Sequence, residues 1–336
     1  MKRNNLPSKP PHKNTGPIAR FRSFGFLRQL ILLALLCVFF GSGFLLLQSL
    51  VLEPHRVQEE NNAIRRLYYG QSTAPSQIQP DTTPTKVAEA PTTTWEELRA
   101  INSDIVGWIR VPGTVIDYPV LQSSSDTPEY YLRHNYQKQY SSHGSIFLST
   151  GSDLASSRNL LLYGHSMKDG QMFAALLDFN ESKYRQTPVL QFDTAGNPGK
   201  WKIIAILKTN TLSQHGEVFP FHRTTFQDDT DYMNHIYQLR IRSIVNTPVD
   251  VLPSDRIVTL STCSYEFEEF RTVIVARKVR DGETDTVAVE TATPNTKVVY
   301  PDCWYEKYGG EKPSWPATFQ EAREQNRIPW PTENTN

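Results

Sequence analysis

Between Arg28 and Glu53 the chain carries no charged side chain, and Leu30–Leu47 is almost wholly apolar. A helix rises about 1.5 Å per residue, so a run of this length can cross the roughly 30 Å of a bilayer's hydrocarbon core. The segment from 29 to 52 is therefore expected to span a membrane, and it separates a short head from everything else the chain builds. That head, residues 1–28, holds Lys2, Arg3, Lys9, Lys13, Arg20, Arg22 and Arg28 and no acid. Positive charge is retained on the cytoplasmic side of a membrane. The expected topology is single-pass in the cell membrane, with a cytoplasmic N-terminus and the remainder outside. A cleaved signal peptide is the competing reading. The apolar run exceeds the roughly 7–15 residues of a signal peptide's core, and no clear small-x-small cleavage site follows it. A signal anchor is preferred.

The formal charge of zero joins this basic head to a mildly anionic remainder, in which 28 basic residues stand against 35 acidic ones. Nothing there forms a nucleic-acid surface. Three cysteines are too few for a disulfide scaffold. Cys37 lies in the expected span, and Cys303 sits in a Trp/Tyr/Pro-rich tail. A bridge from Cys303 to Cys263 would leave the latter without chemistry. A lone cysteine in an exported folded region is either a small buried hydrophobe or a reactive group.

Composition divides the exported part further. Residues 53–93 read as a juxtamembrane segment, with a helix over Gln58–Tyr69, and then a Thr/Pro/Ser/Gln-rich stalk from 71. Folded character begins at Thr94, with Thr94 as helix cap and Glu97 as its partner in a capping box. From 94 to 280 short β-rich runs alternate with turn signals: Ile105–Val111, Val115–Leu121, Ser145–Leu148, Asn159–Tyr163, Val189–Phe192, Trp201–Thr209, Ile257–Cys263 and Thr272–Val279. Eight strands suffice to close a small barrel filled by its own side chains. The expected fold is mainly β, a closed eight-stranded barrel with a few peripheral helices (Gln171–Leu177 and Asp228–Val245 among them) behind one transmembrane helix. Residues 281–336 form a polar, aromatic tail with no assigned structure or role.

Chemistry concentrates at three points. The run Arg256–Cys263 (RIVTLSTC) reads as a strand ending in a thiol, and Arg271 opens the next strand, Thr272–Ala276. Adjacent strands lie about 4.8 Å apart, so the thiol and the cation can meet across the sheet. Upstream, Leu160–His165 (LLLYGH) places His165 at a strand exit after Gly164. Singly, each has an ordinary explanation: a buried cysteine, a loop histidine, an arginine solvating a strand end. Together they suit nucleophilic attack on a carbonyl, with acid–base help and a cation for the oxyanion. No histidine pair has compact ligand spacing matched by cysteines or carboxylates, so neither a metal nor another cofactor is expected.

TLSTC with an arginine eight positions on and YGH upstream closely resembles the sortase family. DIVGWIRVPGTVIDYPV from Asp104, GSIFL from Gly144, LLYGHSMKDGQMF from Leu161 and DRIVTLSTCSYEF from Asp255 resemble class B sortases in particular. The resemblance covers about residues 95–280. It implies a membrane-anchored transpeptidase of Gram-positive surfaces that cuts a surface protein's C-terminal sorting signal. The new end is then joined to a cell-wall peptidoglycan amine. It implies Cys263 as nucleophile, His165 as general acid/base and Arg271 as oxyanion stabiliser, with Ser261, Tyr163, Leu132 and Thr211 contacting the signal peptide. Pro128 departs from the asparagine that class B enzymes can carry four residues before the leucine of YL. Rival readings are a pilin-polymerising sortase, a hydrolase that only releases surface proteins, and a non-catalytic scaffold of the same fold.

Overall fold

The structure, a computed structural model, describes residues 18–70, 93–195 and 197–331. The stretch expected to be a stalk lies outside them over 71–92. Residues 1–56 and 57–336 form two compact units. In the first, helix α1 (Ile18–Leu47) leads into a π-helical turn over Gln48–Leu52. Apolar side chains such as Phe39 and Leu45 are exposed, and the helix is long and apolar enough to cross a membrane.

The second unit is built on a closed barrel. Its strands are β1 (Ile105–Arg110), β2 (Asp117–Leu121), β3 (Ile146–Leu148), β4 (Asn159–Tyr163), β5 (Val189–Thr194) and β6 (Lys200–Asn210). After the short β7 (Val245–Asn246), β8 (Ile257–Ser264) and β9 (Phe270–Lys278) complete it, while β7 pairs only with β10 (Thr293–Pro294). The order around the barrel is β1-β2-β3-β4-β8-β9-β6-β5, with β5 closing onto β1. The β2–β3 and β4–β8 pairs are parallel. The expected fold class is the one observed.

Alternation sends successive residues of the central strands into different cores. Leu160, Leu162, Val258, Leu260, Ile274 and Ala276 fill one cluster inside the barrel. Leu161, Ile257, Val273 and Val275 face a second, under helix α5 (Asp229–Ile241). Strands buried on both faces read as continuous apolar runs, which is how these appear in the sequence. Asp228 caps α5 by accepting from the Asp231 N–H. That helix stops short of the expected Val245, because Ile244 donates its N–H to Ile206 and Val245 enters the β7–β10 ladder.

Other helices refine the expectation. The capping box at Thr94 and Glu97 opens α3 (Trp95–Ile101). Helix α2 (Glu53–Tyr68) packs its Tyr68 ring on Trp108 at 3.9 Å, and the Tyr68 hydroxyl donates to Asp193 at 3.1 Å. The helix expected over Gln171–Leu177 is instead a 3-10 turn over Ala174–Asp178. It starts late because the Phe173 N–H is taken by the His165 carbonyl and a Ser166–Met172 bridge closes the loop before it. A short α4 (Glu181–Gln186) follows. The tail, left without structure by its sequence, holds α6 (Asp302–Tyr308) and α7 (Phe319–Glu324). Through Val299, Ala322 and Trp330 it joins the core beneath α5, so the compact unit does not end at 280.

Candidate active site

Strand β8 lies between β4 and β9, and its register sets the site. Tyr163 stands opposite Ser261, and Cys263 stands opposite Arg271. The Thr262 hydroxyl donates to the Gly164 carbonyl at 2.8 Å, while the Gly164 N–H donates to Ser261 at 3.3 Å. These bonds tie the exit of β4 to β8 one residue before His165. Position 164 must be glycine: a Cβ there would stand 2.4 Å from Ile146 Cδ1 and 2.9 Å from the Phe173 ring.

His165 Nε2 lies 2.9 Å from the Leu132 carbonyl oxygen. A carbonyl only accepts, so Nε2 carries the proton and Nδ1 keeps its lone pair in the neutral ring. Burial pushes the His165 pKa below its ordinary value, and the charges of Arg133 and His143 act the same way against the bond to Leu132. The imidazole is therefore neutral at pH 7. The Leu132 carbonyl also lies close against Gly144. Gly144 has φ +58°, and a Cβ on it would meet the Leu132 oxygen at 2.6 Å.

Arg271 donates from Nη2 to Glu269 Oε2 at 2.6 Å and from Nη1 to the Phe270 carbonyl at 3.1 Å. The Glu269 carbonyl in turn accepts from the Thr211 hydroxyl at 2.8 Å. All three cysteines are free, Cys263 exposed and Cys303 buried in α6, so the bridge between them is not formed. The Tyr265 hydroxyl, just beyond Cys263, donates to the Ser166 carbonyl at 2.8 Å and joins the loop after the thiol to the loop after the histidine.

A cleft of about 540 Å³ collects these groups. Cys263, His165, Arg271, Ser261, Tyr163, Leu132 and Thr211 all line it. The Ser261 hydroxyl oxygen is buried there with no hydrogen-bond partner in the protein. Pro128, the departure from the class B pattern, lies in the wall, and Glu129, Phe147, Phe221 and His222 are further wall residues that no sequence argument identifies. Phe147 lies within GSIFL and was within reach; Phe221 and His222 come from an irregular connection with no motif. Glu269, which holds the guanidinium of Arg271, carried only one signal, its place two residues ahead of that arginine. Among the described residues no group of three or more His, Cys, Asp or Glu is placed to hold a metal ion.

Comparison with known proteins gives the geometry a lineage. The family model of the sortase domain matches residues 109–279. Sortase B of Staphylococcus aureus is 34% identical over 190 residues, 55% of this chain and 75% of that protein. Sortase B of Listeria monocytogenes is 34% identical over 187 residues, 54% of this chain and 73% of its own. The solved Staphylococcus aureus sortase B–substrate complex superposes with a TM-score of 0.56 at 28% identity, covering 68% of this chain and 99% of that one. Since the domain match spans half the chain and both relatives are class B enzymes, the chain belongs to the sortase family and is similar to its class B members.

Proposed function

We propose that this protein is a membrane-anchored cysteine transpeptidase. It cleaves the C-terminal sorting signal of exported surface proteins and joins the new carboxyl end to a peptidoglycan amine. The observation that carries this reading is the pairing of Cys263 with Arg271 in a cleft that also holds His165. Helix α1 anchors the enzyme, with the basic head in the cytoplasm and the barrel outside, where both substrates reside.

The steps follow from the groups present. As Cys263 Sγ attacks the scissile carbonyl carbon, its proton passes to Nδ1 of His165, the nitrogen left free by the bond to Leu132. The oxyanion of the tetrahedral intermediate is held by the Arg271 guanidinium, a role worth roughly 10²–10³ in rate where such donors have been removed. The C–N bond breaks, the imidazolium protonates the departing amine, and a thioester to Cys263 remains. An incoming wall amine attacks the thioester, His165 takes its proton, and the thiol is returned. Ser261, with its unpartnered hydroxyl, and Tyr163, Leu132 and Thr211 bind the signal peptide along the cleft. Pro128 and Glu129, at the wall, point to a signal read differently from that of enzymes with an asparagine at the former position.

The test uses the full-length chain in detergent, a panel of sorting-signal peptides and an amine acceptor, with products followed by mass spectrometry. Amine-linked product from the wild type and none from Cys263→Ala is expected. Cleavage without transfer indicates a hydrolase, and turnover by Cys263→Ala removes the mechanism.

A further inference from the structure

The family match ends at residue 279, yet the chain beyond it returns to the active site. Helix α6 lays Trp304 against Phe267 and Phe270, with ring centroids 6.3 and 6.4 Å apart. Lys307 donates from Nζ to the Glu266 carbonyl at 3.0 Å and sits 4.7 Å from the centre of the Phe267 ring. All these partners belong to the connection between Cys263 and Arg271 or to its last residue before the arginine. At the start of α6, the Asp302 carboxylate lies beside Gly216, where an added Cβ would stand 2.6 Å from its oxygen. Gly216 lies between Thr211 and Phe221, which line another stretch of the cleft wall.

One short helix thus bears on both loops that border the cleft. The loop after Cys263 has reason to need it. Glu269 sits at φ +52°, a left-handed conformation costly for a side chain of its size, and its carboxylate and carbonyl hold Arg271 and Thr211. A strained residue persists only where its surroundings over-determine it. The aromatic face of α6 supplies such surroundings from one side of Phe267 and Phe270, and the His215 ring from another.

We propose that helix α6 is a clamp on the active site, with Trp304 and Lys307 acting as positioning residues that hold the Cys263–Arg271 connection, and through Glu269 the guanidinium, in working geometry. The kinetic part of this rests on the transpeptidase reading; the mobility part does not.

The test compares Trp304→Ala, Trp304→Phe and Lys307→Met with wild type in the full-length chain in detergent. Amide hydrogen exchange across 264–270 is expected to quicken about tenfold or more in Trp304→Ala, with the amides of β4 and β6 unchanged. Lys307→Met should give a smaller change in the same amides, and Trp304→Phe should restore most of the protection. With a cleaved peptide, Trp304→Ala should lower kcat/KM by about tenfold, chiefly through KM. Exchange at 264–270 within twofold of wild type in both Trp304→Ala and Lys307→Met overturns the clamp. So does exchange that rises evenly in every strand, because Trp304 would then serve general stability. Should Trp304→Ala not fold, Lys307→Met, a surface change, decides the same question. Should the wild type transfer no peptide, the transpeptidase reading fails while the exchange result still judges the clamp.

Discussion

Strand β9 carries two arginines at its opposite ends, and they differ in how many of their donors the protein has taken. Arg277 is 1% exposed and donates to Asp250, Glu283 and the Lys278 carbonyl, while Arg280 and Lys202 share the same carboxylates. Arg277 and Lys202 hold Glu283 far below the usual carboxylate range against the opposing effect of burial. Arg271 is 21% exposed and has one carboxylate partner, Glu269, itself 51% exposed. A guanidinium with every donor engaged fixes structure, whereas one with donors to spare at a cleft is available to a ligand. One strand thus commits all of one arginine's donors to structure and leaves the other's partly free at a cleft.

The largest effect should come from breaking the open end. Arg271→Lys keeps the charge but loses the forked donors, and kcat/KM is expected to fall about a hundredfold or more with the unfolding midpoint little changed. Near-normal rates would reduce Arg271 to a structural role. The converse variant is Arg277→Met, which removes the donors to the Asp250 and Lys278 carbonyls while Arg280 and Lys202 still pair Asp250 and Glu283. It should cost about 1–3 kcal/mol in denaturant unfolding while activity per folded molecule stays near wild type.

Acid separates fold from function in another way. His235 is buried between Phe219 and Phe226, and burial first, then Arg223, lowers its pKa to about 3. The unfolded chain takes up that proton below about pH 6.5 and the folded chain does not, so stability falls as pH drops from there toward the folded value. His235→Phe should remove up to about 1.36 kcal/mol per pH unit of that slope, measured by denaturant titrations at several pH values. An unchanged slope would contradict the burial argument. His165, also lowered, should set an acid limb of kcat/KM below its ordinary pKa, since only its neutral form accepts the thiol proton. The smallest effect is expected for Glu269→Gln. Its exposed pair with Arg271 is worth at most about 1 kcal/mol, so kcat/KM should move by less than about fivefold, and a much larger loss would mean that the Glu269 carboxylate itself, not the loop around it, sets the position of Arg271.

The barrel was legible because its strands are short apolar runs, β-branched in β8 and β9 and leucine-rich in Asn159–Tyr163, which is bounded in the structure as in the sequence. The pairing of Cys263 with Arg271 followed from strand geometry, and the family resemblance supplied which other residues to look for in the cleft. The tail was not legible. Helices α6 and α7 span seven and six residues, too short for a 3.6-residue period to emerge. Their buried residues, Cys303 and Ala322, are one apiece. The walls contributed by Glu129, Phe221 and His222 come from loops, where tertiary packing rather than local pattern places a side chain. Helix α2 was expected over Gln58–Tyr69, but nothing local announced that Tyr68 would stack on Trp108.

The central claim is that Cys263 forms a covalent acyl-enzyme, and the most direct measurement is intact and peptide-level mass spectrometry of the full-length protein incubated with a cleaved peptide and no amine. The account predicts an adduct of the signal's N-terminal fragment on the tryptic peptide holding Cys263, discharged by added amine, and missing in Cys263→Ala. Amine-linked product that accumulates with no adduct on Cys263, or that persists in Cys263→Ala, would contradict it.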